Sequence, residues 1–128
     1  MYREISHQVQ VEVEPAYLQA ESQPQASRFI FTYRIKITNL GDKPAQLVSR
    51  HWIITDGQGR VEEVRGPGVV GQQPMLEPGQ SYEYSSYCPL TTPTGNMRGT
   101  FQMETPQGGD KFQVKIPLFF LRDLSNLH

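Results

Sequence analysis

Two stretches of this chain alternate apolar and polar residues with a period of two, and no other feature restricts the fold as much. From His7 to Glu14, Val9, Val11 and Val13 fall on one face and Gln8, Gln10, Glu12 and Glu14 on the other. The pattern returns more strongly with Phe29, Phe31, Tyr33, Ile35 and Ile37 set against Thr32, Arg34, Lys36 and Thr38. Successive strand side chains point to opposite faces of a sheet, so such runs are half-buried strands. No window sustains apolar residues at helical spacing. Ten prolines and eleven glycines among 128 residues leave little uninterrupted length for helices.

The punctuation between strands is equally dense. Pro15 is expected to end the first strand, and a polar loop from Gln19 to Ser27 precedes the second. The turn Asn39-Leu40-Gly41-Asp42-Lys43-Pro44 leads to Ala45–Asp56, rich in β-branched and aromatic residues, which predicts a long hairpin. Asp56-Gly57-Gln58-Gly59 turns the chain into a short strand over Arg60–Arg65, with Asp-Gly expected to supply the positive backbone angles of a tight turn. Gly66–Gly79 reads as a loop with a brief strand near Met75 and Leu76. Further strands are expected from Gln80 to Pro89, over Met97–Glu104 and over Lys111–Ile116, the last two joined by a turn at Thr105–Gly109. That makes about seven strands, the number expected of an immunoglobulin-like or fibronectin type III-like β-sandwich, with a barrel as the alternative topology. Trp52 is the candidate for inter-sheet packing. Residues 1–128 leave room for one domain, and there is no internal repeat or linker.

Charge and targeting exclude several function classes. Twelve basic and thirteen acidic side chains give a net charge of -1, so no whole-molecule field draws in nucleic acid or an anionic membrane. The asymmetry is local, because residues 28–65 carry seven basic and four acidic side chains. The polar N-terminus lacks the apolar stretch of a secretory signal, which makes a cytoplasmic location the expectation. The apolar run Ile116–Leu121, interrupted by Pro117, is far too short to span a bilayer and reads as a terminal segment docked on the core.

Few residues carry recognisable chemistry. His7, His51 and His128 show no metal-ligand spacing, and the single Cys88 excludes an intrachain disulfide. Glu62 and Glu63 are adjacent on a strand and face opposite ways, so they cannot act as a paired acid and base. Ser85, Ser86 and Cys88 lack a nucleophile elbow, and Cys88, followed by Pro89, reads as a buried thiol. Tyr82 and Tyr84 share one face and Tyr87 takes the other, without the basic groove of a single-strand binder. These residues support no enzyme class, no cofactor and no metal centre. Gly66-Pro67-Gly68-Val69-Val70-Gly71 matches the G-x-G-x-x-G pattern of dinucleotide-binding folds, but Pro74 and Pro78 forbid the helix such a loop must open. A smaller expectation survives, in which the loop amides form an anion-binding concavity. The basic excess lies just upstream, in Arg50, Arg60 and Arg65 among others.

Several motifs recur in one order, among them Arg50-His51-Trp52-Ile53-Ile54-Thr55-Asp56, Glu63 through Pro74, Leu76-Glu77-Pro78-Gly79, Tyr84-Ser85-Ser86 and Thr92-Pro93-Thr94-Gly95-Asn96-Met97-Arg98-Gly99. Together they closely resemble the bacterial ApaG family, over essentially the whole chain from Val9 to Leu127-His128. The resemblance implies a fibronectin type III-like sandwich and, from the family's occurrence beside F-box and polymerase-associated segments, a protein-interaction module. It also implies a gene neighbourhood with a diadenosine tetraphosphate hydrolase and an association with cobalt and magnesium efflux or resistance, which would here be indirect. Its suspected pyrophosphate-binding loop falls on Gly66, Gly68 and Gly71, where Pro67 removes one backbone donor. The leading expectation is a non-enzymatic module that docks an unidentified protein partner through a sheet face or strand edge. The alternative is a small-ligand binder holding pyrophosphate or nucleotide phosphates through Gly66, Gly68 and Gly71 with Arg65 and Arg50.

Overall fold

The alternating segments pair into two antiparallel sheets packed face to face. The computed structural model describes residues 1–106 and 109–123, with strands β1 (Tyr2–Ser6), β2 (Val9–Tyr17), β3 (Phe29–Asn39), β4 (Ala45–Asp56), β5 (Val61–Pro67), β6 (Met75–Leu76), β7 (Ser81–Leu90), β8 (Thr94–Glu104) and β9 (Lys111–Arg122). The first sheet has the order β1-β2-β3-β7; the second has β5-β4-β8-β9, with β6 beside the start of β4. Two short 3-10 turns, Gln19–Glu21 and Pro24–Ala26, fill the polar loop before β3. The all-β sandwich is as the alternation predicts, but the strands outnumber the expected seven.

Period-two parity places the core. Val9, Val11 and Val13 of β2 and Phe29, Phe31, Tyr33, Ile35 and Ile37 of β3 are all buried, and meet Leu47, Trp52, Met97, Phe101, Val114 and Phe119 from the second sheet. Trp52 does occupy the inter-sheet position, with its ring centroid 5.3 Å from Tyr33 of the facing sheet and 5.9 Å from Phe119. Asn39, itself buried, donates from Nδ2 to the carbonyls of Lys43 and Leu76 at 2.8 and 3.0 Å and accepts from the Gly41 N–H at 2.9 Å.

Several expected boundaries are corrected. Residues 39–44 do not close a hairpin, because β3 and β4 lie in different sheets and the segment carries the chain across the sandwich. Pro15 does not end β2. It pairs with Tyr33, beyond the last β1 contact at Tyr2–Val13, where one side of β2 is an edge and a missing N–H is tolerated. Pro117 likewise sits within β9, at a bulge where the register against β8 shifts between Met97–Phe119 and Gly99–Ile116. The apolar run from Ile116 is therefore the second half of an edge strand. The β4–β5 hairpin forms as expected, but the positive φ falls on Gly59, at 82°, rather than on Gly57. There Asp56 Oδ1 accepts from the N–H groups of Gln58 and Arg60. The resemblance at Leu127-His128 and the middle of the Thr105–Gly109 turn lie outside the described residues.

Candidate functional site

The glycine loop leaves β5 and returns through Gln72 toward β6. Val69 and Gln72 bond to each other in both directions, Val69 N–H to Gln72 O at 2.8 Å and Gln72 N–H to Val69 O at 3.0 Å. Between them Val70 and Gly71 have φ of 49° and 77°, so the tip is a two-residue turn with both central residues left-handed. Gly71 meets that demand without strain. Val70, a β-branched residue 62% exposed, does not, since such residues pay a steric penalty at positive φ.

The other two glycines answer to space. A Cβ on Gly68, at φ 60°, would lie 2.2 Å from the Gln72 carbonyl oxygen, and one on Gly66 would lie 3.1 to 3.3 Å from the Arg50 guanidinium. Each glycine of the motif thus has a local structural cause. The loop is also tied down from β4. A bulge between Leu47 and Ser49 frees the Val48 carbonyl, which accepts from the Gly68 N–H at 2.8 Å and from Gln73 Nε2 at 2.9 Å. Val69, fully buried, joins the core. Neither Val69 as an anchor nor Gln73 as a brace is marked in the sequence by spacing or residue type.

Arg50 has the inward parity of Trp52 and stands opposite Gly66 across the β4–β5 pair. Its Nη1 donates to the carbonyl oxygens of Pro67 and Gly68, both at 3.0 Å. A guanidinium placed so binds the loop itself. Arg65 faces outward, 72% exposed, with Nη2 3.5 Å from Glu63 Oε1. The same carboxylate oxygen takes His51 Nε2 at 2.8 Å. Arg50, Arg65 and Gly66 border a depression of about 310 Å3 together with Ser49, His51, Gln102 and Gln113; Gly68 and Gly71 lie outside it. Within the loop, the Gly68, Val69 and Gln72 N–H groups are occupied internally, and the Val70 and Gly71 N–H groups make no hydrogen bond with any described residue.

The remaining reactive side chains are dispersed over the fold. Cys88 is buried, and its burial, with Glu62 adding to it, pushes the thiol up to about 12. Tyr82 and Tyr84 pack against the core while Tyr87 is 65% exposed. Burial drives the Tyr84 phenol well above its ordinary range, with Tyr33 reinforcing the shift and Arg50 opposing it. The Tyr84 hydroxyl has no hydrogen-bond partner among the described residues. His7 stands at the β1–β2 turn, its ring 5.5 Å from Phe112; His128 lies outside the described residues. Among the described residues no group of three or more His, Cys, Asp or Glu is placed to hold a metal ion, and no helix is long and apolar enough to cross a membrane.

A family model described as the ApaG domain matches residues 19–105. The chain belongs to the ApaG family. Protein ApaG of Brucella anthropi is 54% identical over 121 residues, covering 94% of this chain and 92% of that protein. Protein ApaG of Bordetella pertussis is 52% identical over 118 residues, covering 92% and 89%. The crystal structure of a Bordetella pertussis protein described as ApaA superposes with a TM-score of 0.86 at 52% identity, covering 89% of this chain and 92% of that one. A C-terminal domain of wzt, 9% identical with a TM-score of 0.55 over 94% of this chain and 76% of that one, shares the fold alone. Outside the residues the ApaG model matches, β1, β2 and β9 complete the two sheets.

Proposed function

We propose that this ApaG domain is a non-enzymatic binding module, cytoplasmic, that acts by docking another protein. One observation carries the reading. Large apolar side chains are presented to solvent on sheet faces, Leu118 and Phe120 on β9, Val61 on β5 and Tyr87 on β7, while Cys88 is buried and His51 is paired with Glu63. Leu118 and Phe120 are neighbours on one face of β9, and exposed apolar positions grouped on a rigid strand are what an interface core uses. An association with metal efflux would be exerted through such a partner.

The phosphate-binding alternative has narrower support. Arg50 and the Gly68 N–H already serve the loop, so a ligand would rely on the Val70 and Gly71 N–H groups with Arg65. An NMR titration with pyrophosphate, ATP and diadenosine tetraphosphate tests it, since amide shifts confined to residues 65–73 are required. For the main reading, crosslinking with the intact chain in its source cell, followed by reconstitution with the purified partner, is expected to give a reproducible one-to-one complex. Repeated failure with folded protein overturns it.

A further inference from the structure

The outward faces of the two sheets differ in how their charges are compensated. On the first, Arg34 meets Glu14 at 2.7 Å, Arg3 meets Glu12 at 3.3 Å, and Lys36 stands between Glu12 and Glu83 in the strand register. That face neutralises itself. On the second, Arg98 of β8 is opposite Ile53 of β4 and the Pro117–Leu118 bulge of β9, and Lys115 is opposite Thr100. Neither has a carboxylate across either strand, and among the described residues neither forms an ion pair. Opposite charges are one kind of cross-strand pair that stabilises a sheet; on the second face they lie at Glu63 with His51 and Arg65 and at Glu104 opposite Lys111, and Arg98 and Lys115 stand between them without one.

The same face carries Leu118, 47% exposed, and Phe120, 40% exposed, beside Arg98 and Arg122. The Arg122 guanidinium lies 5.2 Å from the Phe120 ring centre, which holds it at the surface, and its N–H donors make no hydrogen bond with any described residue. Past the β9 edge the surface continues into a cleft of about 660 Å3, whose walls include Tyr17, Phe31, Phe120 and Arg122. The combination is an apolar recess with a cation at its rim, leading onto Arg98 and Lys115, which form no ion pair among the described residues.

We propose that this face of β8 and β9 receives an acidic protein segment, which seats one bulky apolar side chain in the cleft beside Phe120 and lays carboxylates against Arg122, Arg98 and Lys115. The proposal rests on the protein-docking reading and names its surface and the class of partner. Charge complementarity selects a carboxylate-bearing segment, and the recess selects an apolar anchor within it.

The test uses the full chain with a short glutamate-rich peptide bearing a single central phenylalanine. Amide shifts are expected at Arg98, Lys115, Leu118, Phe120 and Arg122, screened away by salt. They should be absent when the glutamates are replaced by lysine. Arg98→Glu should weaken binding about tenfold, whereas Lys36→Glu on the opposite sheet should not. No shift at millimolar peptide, or shifts elsewhere, overturns the proposal; so does binding to phosphatidylglycerol vesicles in place of the peptide. In the source cell, photocrosslinking residues at Leu118 and at Tyr87 separate the two levels. Protein adducts from Leu118 support this face. Adducts from Tyr87 alone leave protein docking intact and remove the face, and adducts from neither remove both.

Discussion

The Arg50 guanidinium and the Gly68 carbonyl lie 3.0 Å apart, and the same Nη1 reaches the carbonyl of Pro67 at the same distance. A motif that reads as an anion cradle is thus held by a cation from within, through the loop's own acceptors. Hydrogen bonds from a charged donor contribute more than neutral ones, so Arg50→Met, which keeps the aliphatic stem, should cost about 2 kcal/mol in urea unfolding. Amide exchange at Gly68 and Val69 should accelerate with it. An unchanged midpoint would mean that the loop holds its shape without Arg50.

The glycines of the loop should differ sharply in their tolerance. Gly71→Ala meets open space and suffers only the positive φ, costing about 1 kcal/mol. Gly68→Ala adds a contact of 2.2 Å with the Gln72 carbonyl and should cost clearly more. At Val70 the direction reverses. Its side chain is exposed and its φ of 49° suits asparagine better than valine, so Val70→Asn should stabilise by about 1 kcal/mol. Thermal unfolding of the three variants checks the order.

What the chain discloses locally and what it withholds divide along physical lines. β3 is legible because its two faces differ at every position from Phe31 to Thr38, and β6 because Pro74 precedes it and Pro78-Gly79 follow shortly after. β1 is missed because Tyr2–Ser6, an edge strand with no fully buried residue, mixes Tyr with Glu and Ser on its inner face and Arg with Ile on its outer one, so its burial alternates without an apolar–polar alternation in the sequence. The ends of β2 and β9 are missed because Pro15 and Pro117 read as breakers, and only the positions of neighbouring strands show that the prolines lie at an edge and at a bulge. The β3–β4 connection reads as a hairpin because a turn motif fixes a reversal but not which sheet the chain rejoins. At the candidate site, the need for glycine is visible in the sequence. Its causes, the Arg50 guanidinium, the Gln72 carbonyl and the left-handed tip, come from pairing between segments.

Cys88 should be silent toward thiol reagents in the folded protein. Burial raises the thiol from its ordinary 9.0 to about 12, so the folded state keeps its proton after the unfolded chain has released it. The contribution to stability is fully present below pH 9.0 and is lost as pH rises toward about 12. Tyr33 and Tyr84 shift in the same sense and add to the alkaline decline. Cys88→Ala should therefore flatten the dependence of the urea midpoint on pH above 9.0 without abolishing it. Alkylation of native protein at the rate of a free thiol would show that Cys88 is not enclosed.

The bulge at Pro117 and Leu118 sets which side chains of the last strand face inward, and two neighbouring phenylalanines test it. Phe119 is fully buried and touches the Tyr2, Tyr33 and Trp52 rings at centroid distances of 6.1, 5.8 and 5.9 Å. Removing it leaves a cavity where both sheets meet, so Phe119→Ala should cost about 3–5 kcal/mol. Phe120 is 40% exposed, and Phe120→Ala should cost less than about 1 kcal/mol. Trp52 is the lone tryptophan and lies against Phe119, so its fluorescence reports both unfolding and the local change. If the two costs were reversed, the strand would have to run past the bulge in the opposite parity, placing Phe120 in the core and removing the apolar edge of the proposed docking face.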